Sequence, residues 1–364
     1  MFDNHRTLYR YVTREFLNIL WLSLSSLILI YIVVVFLQKM TSIGKYGASF
    51  FLVFEYLFYK LPEVTFQWTL PYAVLLSILL TLGIFSRNSE ITALKAGGIS
   101  LYRITLPLFF VVFLISIVNF IGNEYLLPFS YQKSRYVWDI KIKKEKPTAF
   151  FKNFKIWYRN DQRLINIQVL DPLKRILQGF TLYQLDDKFQ CTQRVDAREV
   201  RWMNGKWQFY DGALRIFGPG GAFQMTPFKS MSFPLDETWE SFQKIERDPE
   251  EMSYSELRTY IQTIQASGYD ATRYVVGLNS KLSLPLLNLI MVLIGIPFGL
   301  KTSRSGGVAL SIGISVIIGF VFGITYYVFL SIGETGVLPA ILSAWTPTLL
   351  FGLAGIFTLM SIRQ

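Results

Sequence analysis

Arg87-Asn88-Ser89-Glu90-Ile91-Thr92-Ala93-Leu94-Lys95-Ala96-Gly97-Gly98 is a short polar stretch between two long apolar runs, residues 64–85 and Leu101–Ile121. Each run has about the 20 residues that a helix needs to cross a hydrocarbon layer roughly 30 Å thick. The stretch contains good helix formers, Ser89 stands where an N-cap is expected, and Gly97-Gly98 provides a stop. We therefore predict that the chain leaves a membrane here, forms a short helix and returns at once. An ordinary solvated loop is the alternative.

The composition extends this membrane assignment to the whole chain. The 364 residues are 52% hydrophobic and 16% aromatic, with a mean hydropathy of +0.36. Only 17% are charged, against about a quarter in soluble domains. A single cysteine, Cys191, and a single histidine, His5, exclude an internal disulfide framework, a cysteine-rich metal site and a histidine-based triad. Membrane orientation and anionic lipid account for the net charge of +11, so no nucleic-acid partner is expected.

Six apolar runs are long enough to span the membrane: residues 16–37, 64–85, 101–121, 282–300, 308–330 and 338–361. The first run is too long for the core of a signal peptide, so we expect it to be retained. The short segments on one side of the spans contain Arg6, Arg10, Arg14, Arg87, Lys95, Arg103, Lys301, Arg304 and Arg363. The opposite short loops contain only Lys39, Lys45 and Lys60. This asymmetry predicts cytoplasmic termini and an external middle region.

The middle region, from about residue 130 to 250, reads as β-structure. Short apolar runs alternate with polar residues, as at 155–158, 164–169 and 180–185. Asn204-Gly205 is a strong signal for a two-residue hairpin turn, and Asp211-Gly212 and residues 218–221 predict further turns. Short strands separated by such turns predict an antiparallel sandwich or jelly-roll-like domain.

Two segments beside the spans have helical character. Residues 253–266 place four side chains on one face, namely Tyr254, Leu257, Ile261 and Ile264. Ser253 and Glu256 match a capping box, and Gly268 is expected to end this helix. The aromatic stretch 50–59 fits either an interfacial helix or an outward extension of the second span.

The predicted fold is a membrane α-helical protein with six transmembrane helices and an inserted extracytoplasmic all-β jelly-roll-like domain between the third and fourth spans. Residues 1–130 hold spans one to three, with the short cytoplasmic helix at about 87–98. Residues 131–250 form the β-domain, 251–278 an amphipathic linker helix, and 279–364 the last three spans.

The sequence offers no nucleotide site or intramembrane charge relay. Residues 295–303 depart from the phosphate-binding order GxxxxGK[ST], because Leu300 separates the second glycine from Lys301. The centres of the six spans contain no ionisable residue, which argues against ion-coupled transport. We expect a protein without enzymatic activity, cofactor or metal, whose ATP is hydrolysed by another subunit and whose cargo is lipid-like.

Basic residues flank the outer ends of the predicted spans: Lys39, Lys45, Lys60, Lys133, Arg135, Arg273 and Lys281. A phosphate-bearing headgroup would be attracted there, since arginine binds phosphate through two N–H groups at once. Snorkelling of these side chains to ordinary lipid phosphate is the alternative.

This order of segments resembles the lipopolysaccharide-export permeases of the LptF/LptG family. The matching residues are Arg10-Tyr11-Val12, Arg14-Glu15-Phe16, residues 87–90 and 96–98, Ser267-Gly268-Tyr269-Asp270 with Arg273-Tyr274, Lys281 with Pro285, and residues 319–322. The resemblance covers essentially the whole chain and is weakest across 140–245. The stretch 267–274 favours the LptG side over the LptF side.

The resemblance implies a multi-pass permease of the bacterial inner membrane, belonging to an ABC exporter of lipopolysaccharide. Its implied partners are a second permease (LptF or LptG), an LptB ATPase dimer and LptC, which pass cargo to a periplasmic bridge. The family's coupling-helix glutamate corresponds to Glu90, and contact with the ATPase is expected at Glu90, Arg87, Ser89 and Leu94. Headgroup binding is expected at Lys39, Lys133, Arg135 and Lys45.

Three other classes remain as alternatives. A mechanotransmission or lipoprotein-release permease also has an external domain, but typically has four spans. A membrane sensor with a ligand-binding β-domain would need a sizeable cytoplasmic output domain, and a secondary carrier would need carboxylates inside the membrane.

Overall fold

The structure, a computed structural model, describes residues 3–144, 149–152, 155–160, 162–171, 175–186, 189–203, 205–218, 222–235, 239, 242, 248–266, 270–302 and 307–361. The chain forms two units. The helical unit comprises Met1–Lys144, Pro249–Ser255 and Thr272–Gln364, and the β-unit comprises Glu145–Asp248 and Glu256–Ala271. Some residues that the sequence singled out lie outside the described residues: Asn204, Pro219, Gly220, Gly221, Ser267, Gly268, Tyr269, Arg304 and Arg363.

The helices before the β-unit are α1 (Asp3–Tyr46), α2 (Phe50–Glu63), α3 (Leu70–Arg87), α4 (Glu90–Ala96), α5 (Leu101–Ile121) and α6 (Leu127–Tyr136). The later helices are α7 (Tyr254–Ala266), α8 (Thr272–Thr302), α9 (Gly307–Glu334) and α10 (Ala340–Met360). Three π-helical segments, Val64–Thr69, Gly122–Leu126 and Val137–Ile142, interrupt or extend the helices on either side of α4.

The six predicted spans are confirmed among the described residues. They correspond to Arg6–Thr41, Leu70–Arg87, Leu101–Ile142, Thr272–Leu300, Ala309–Glu334 and Ala340–Met360. Several of these helices exceed the predicted ends: α1 has 44 residues, a length of roughly 66 Å at 1.5 Å per residue. The helical path of the third span likewise continues to Ile142, so residues 131–142 lie in the helical unit rather than beyond a boundary at 130.

The structure decides between the two readings of residues 50–59. Helix α2 runs into the π-helical segment 64–69 and then into α3, with helical backbone at Val64 and at Leu70. The stretch is therefore an extension of the second span. Phe50, Phe51 and Phe54 remain exposed on it.

The second and fourth spans, α3 and α8, are the most buried of the six. Gly295 and Gly299 on α8 face α3, and a Cβ at these positions would lie 3.0 Å from Ile78 Cγ2 and 3.0 Å from Leu82 Cβ, respectively. The glycines of the rejected phosphate-binding pattern therefore allow two helices to approach closely, as small residues four apart do in membrane proteins.

The β-unit contains β1 (Ala149–Lys152), β2 (Lys155–Asn160), β3 (Arg163–Ile167), β4 (Val169–Asp171), β5 (Ile176–Leu185), β6 (Cys191–Met203), β7 (Lys206–Phe217) and β8 (Phe223–Ser232). The described strands form one antiparallel sheet in the order β1-β2-β3-β5-β6-β7-β8, with β4 beside β5. This confirms the all-β insertion between the third and fourth spans. Met203 pairs with Lys206, so β6 and β7 form the predicted hairpin, and Gly205 has φ +75°.

One face of this sheet is apolar. Its buried side chains come from β3 to β7 and pack with residues 239 and 242: Ile165, Ile167, Leu170, Leu177, Phe180, Leu182, Val195, Ala197, Val200, Trp207, Phe209, Trp239 and Phe242. The Trp207 ring contacts Trp239 and Phe242 with centroid separations of 6.2 and 5.5 Å. The apolar face is thus partly covered within the β-unit itself.

The turn predicted at Asp211-Gly212 is wrong, because both residues lie inside β7. Gly212 pairs with Ala197 and Phe228, and a Cβ there would overlap the Asp196 carbonyl oxygen and the Phe228 ring. Asp211 has φ +49°. The pair therefore permits a close approach and a local distortion of continuous strands, rather than a chain reversal.

The linker helix α7 confirms the predicted amphipathic segment, with Leu257, Ile261 and Ile264 buried. Its first turn is capped from a distant part of the chain. The backbone N–H groups of Tyr254 and Ser255 donate to Glu124 Oε2 and Oε1, at 2.6 and 3.3 Å. A carboxylate at this position satisfies free amides and favours the positive end of the helix dipole.

Candidate functional site

Helix α4 joins the last turn of α3 to the start of α5 and is attached to the helical core on one side only. Ile91 is 7% exposed, and Leu94 packs against the same apolar cluster. Thr92, Ala93 and Lys95 are exposed. Leu94, expected to contact an ATPase, therefore faces the core of its own chain, while the opposite face of α4 is open.

The predicted capping role of Ser89 is wrong. Ser89 occupies the N-cap position, but its φ is +59° and its side chain makes no capping hydrogen bond. The neighbouring Asn88 side chain does not cap the helix either: its Nδ2 donates to the side-chain Oε1 of Glu90, at 3.1 Å. The turn between α3 and α4 is tight enough that the residue before α4 adopts a left-handed conformation.

Glu90 is the best-oriented charged side chain of this turn. The Tyr11 hydroxyl donates to Glu90 Oε2 at 3.0 Å, and Asn88 Nδ2 donates to Oε1. Both donors are neutral, and no cation among the described residues pairs with Glu90. The carboxylate is therefore fixed in direction while its charge remains available to a cation from outside the chain.

Charged side chains of both signs lie on the elements next to Glu90, since Glu15 on α1 interacts electrostatically with Tyr11. Arg10 and Arg14 on α1 and Arg87 at the end of α3 have exposed side chains. Arg87 is the last residue of α3, borders α4 and is exposed. A carboxylate that two neutral donors hold in one direction provides a docking point for an exposed cation of a partner.

The predicted headgroup lysines lie toward the C-terminal end of α1 (Lys39 and Lys45) and on α6 (Lys133). Lys39 Nζ is 4.4 Å from the centroid of the Trp138 ring. Lys45 and Lys133 each lie 5.7 Å from an aromatic ring, Tyr46 and Phe129 respectively. None of the three pairs with a carboxylate of the described residues.

Neighbouring lysines behave differently from these three. Lys60 lies 2.6 Å from Glu63, Lys141 lies 2.7 Å from Glu55, and Lys143 lies 2.8 Å from Asp139. Pairing partly neutralises these cations. Lys39, Lys45 and Lys133, by contrast, form no ion pair with a carboxylate in the described part of the chain, and each lies beside an aromatic ring, an arrangement suited to a phosphate on an amphiphile.

Arg135, the fourth predicted headgroup residue, is already bound. Its Nη1 donates to both carboxylate oxygens of Glu251, at 2.8 and 3.0 Å, and Asp139 lies 3.7 Å from its Nε. The ion pair connects α6 with the chain where it returns from the β-unit. The Tyr131 hydroxyl, one turn earlier on α6, lies 3.1 Å from Glu250 Oε2.

Sequence reasoning missed Tyr11 and Glu124 as important residues. Tyr11 was part of the resembling motif at residues 10–12, but without a role. Glu124 gave a usable signal, because an acidic residue directly after an apolar span requires a partner. The sequence gave no indication of which backbone groups would supply that partner.

Comparison with known proteins agrees with this architecture. The family model described as lipopolysaccharide export system permease LptF/LptG matches residues 10–361. A protein of Haemophilus influenzae (strain ATCC 51907 / DSM 11121 / KW20 / Rd), lipopolysaccharide export system permease protein LptG, is 23% identical over 359 residues, which cover 95% of this chain and 96% of the relative. The LptG protein of Escherichia coli (strain K12) is 21% identical over 365 residues, which cover 96% and 97% of the two chains. Because the family match spans nearly the whole chain and extends over part or all of each of the six spans, this protein belongs to the lipopolysaccharide export system permease LptF/LptG family.

Proposed function

We propose that this chain extracts lipopolysaccharide from the inner membrane and passes it toward a periplasmic bridge, driven by a separate cytoplasmic ATPase. It does so as one of two paired LptF/LptG permeases, with an ATPase dimer of the LptB type and with LptC. The observation that carries the proposal is the arrangement at α4, where neutral donors orient the Glu90 carboxylate without neutralising it.

Helix α4 is suited to receive force from such an ATPase. Its exposed face accepts the partner, with Glu90 bound to a cation and with Arg87 and Ser89 at the border of the contact. Ile91 and Leu94 attach the other face to the core, so a push on α4 displaces α3 and α5 as rigid elements. In this proposal α4 and both termini lie in the cytoplasm and the β-unit lies in the periplasm.

The cargo surface is assigned to the least buried spans, α1 and α9, which offer apolar side chains to a paired permease and to acyl chains. Lys39, Lys45 and Lys133 hold the phosphates of the headgroup. Arg135 joins them only when its ion pair with Glu251 opens. Movement of the spans then expels acyl chains, a step that costs about 0.8 kcal/mol per CH₂ and so requires ATP.

The apolar face of the β-unit supports a shelter for acyl chains during transfer. Its row of buried side chains is continuous across β3 to β7. Because Trp239 and Phe242 cover part of this face, acyl chains must displace these two side chains or enter beside them.

The coupling role is tested with Glu90→Lys in the reconstituted complex. We expect ATP hydrolysis to continue while lipopolysaccharide release falls, because a lysine repels the partner's cation. Glu15→Lys, the same charge change on α1, is the matched control. Normal release by Glu90→Lys would remove the coupling role.

The headgroup role is tested with Lys39→Asp combined with Lys133→Asp, by measuring the lipopolysaccharide that co-purifies with the complex. We expect less retained lipid, whereas Lys144→Asp, which reverses an exposed charge just beyond the third span, should retain the normal amount. If the unaltered protein, the double variant and Lys144→Asp retained equal amounts of lipopolysaccharide, Lys39 and Lys133 would only contact ordinary lipid.

A further inference from the structure

We infer that Tyr11 is a positioning residue for Glu90 and joins α1 directly to α4. This inference rests on the proposed coupling role of Glu90. The hydrogen bond from the Tyr11 hydroxyl to Glu90 Oε2 connects residues that are 79 positions apart. It therefore orients the carboxylate from a separate helix, whereas Asn88 acts from the adjoining turn of the same chain segment.

The ring of Tyr11 makes a second contact that holds the hydroxyl in place. It stacks on Phe85, with 5.4 Å between the ring centroids and 17° between the planes. Phe85 is 1% exposed and lies near the end of α3. One side chain of α1 thus touches both the end of the second span and the first residue of α4.

The following residues of α1 are firmly packed, since Val12 and Phe16 are fully buried in the core of the helical unit. A displacement of α4 is consequently passed to α1 through Tyr11, and not only to α3 and α5 through the chain. This matters for cargo, because α1 is among the least buried spans and belongs to the proposed cargo surface.

A hydroxyl suits this position for an electrostatic reason. It restricts the carboxylate to one direction and leaves the full negative charge for the partner's cation. An arginine or lysine at residue 11 would bind Glu90 within the chain and compete with the partner. Tyr11 therefore prepares Glu90 for docking without occupying its charge.

Tyr11→Phe tests this inference, because it keeps the stacked ring and removes only the hydroxyl. The measured quantity is lipopolysaccharide released per ATP hydrolysed by the complete complex in nanodiscs. We expect this ratio to fall by roughly tenfold or more, because a hydrogen bond to a charged group contributes more than an average hydrogen bond, while the complex still assembles. Tyr9→Phe, the same change two residues earlier on α1, should leave the ratio unchanged.

A double-mutant cycle separates positioning from a merely structural role. If Tyr11 acts through the carboxylate, adding Tyr11→Phe to Glu90→Ala lowers the ratio no further. The inference would be overturned if the two substitutions lowered the ratio additively. It would also be overturned if Tyr11→Phe had a normal ratio while Glu90→Ala had a low one. Either outcome would leave the coupling proposal standing. A normal ratio in Glu90→Ala would overturn the coupling proposal and this inference with it.

Discussion

Replacing Glu124 by alanine is expected to loosen the start of α7. The carboxylate accepts the N–H groups of Tyr254 and Ser255 at 2.6 and 3.3 Å, and so performs the task of an N-cap. Loss of a capping side chain costs a helix about 1 kcal/mol, and loss of a negative charge at its N-terminus adds roughly 0.3–1 kcal/mol. The free energy of local opening at these two amides should therefore fall by about 1–2 kcal/mol.

Amide hydrogen exchange of the purified protein in detergent measures this change. A loss of about 1–2 kcal/mol corresponds to roughly 5- to 30-fold faster exchange at Tyr254 and Ser255. Glu124→Gln keeps one oxygen acceptor without the charge and should fall between the wild type and Glu124→Ala. Gln262→Ala, an exposed position on the same helix, is the control and should not alter the first turn. Unchanged exchange in Glu124→Ala, or an equal change in Gln262→Ala, would refute the capping role.

Three further predictions concern packing, pH and topology. Gly299→Leu should lower the melting temperature, because the larger side chain overpacks against Leu82 at a cost of about 1–3 kcal/mol. Gly313→Ala should not lower it, because a Cβ at residue 313 would meet no atom within 4 Å. Equal melting temperatures of the two variants would contradict the close approach of α8 to α3. Burial raises the pKa of Glu63 above its ordinary value of 4.5, although the neighbouring Lys60 lowers it. Because the folded state then holds the Glu63 proton more tightly than the unfolded state, the free energy of unfolding should fall as the pH rises from 4.5 through the raised pKa. Melting curves measured across this pH range test the prediction. Glu63→Gln should remove the contribution of this residue to the pH dependence. A membrane-impermeant maleimide should label Cys191 from the periplasmic side only. The labelling should be slow, because burial raises the pKa of the Cys191 thiol. Labelling from the cytoplasmic side alone would show that the proposed topology is inverted.

The features that sequence predicted correctly are set by short-range patterns. The spans follow from runs of apolar side chains, and the hairpin at 204–205 follows from a residue pair whose backbone preference matches a two-residue turn. The buried face of α7 follows from helical spacing alone. None of these depends on knowing which distant residues come together.

The sequence errors arose where a local signal had more than one structural solution. Serine is a common N-cap residue, but the tight turn after α3 places Ser89 at φ +59°, where its side chain makes no capping hydrogen bond. An Asp-Gly pair is typical of a turn. At residue 212, however, glycine is required because the Asp196 carbonyl oxygen and the Phe228 ring leave no room for a Cβ atom. In both cases the residue types indicated an unusual backbone conformation, but they did not show which tertiary contact causes it.

The sequence by itself therefore determined the six spans, the position of α4 and the inserted β-unit, because hydropathy and residue spacing act over a few neighbouring residues. Only the tertiary structure decided which charges are free and which are paired. Tyr11 and Glu90 are 79 residues apart, Arg135 and Glu251 are 116 apart, and Glu124 and Tyr254 are 130 apart. Such contacts depend on how helices pack, so a carboxylate that is open to a partner cannot be distinguished in the sequence from one that caps a helix or binds an arginine.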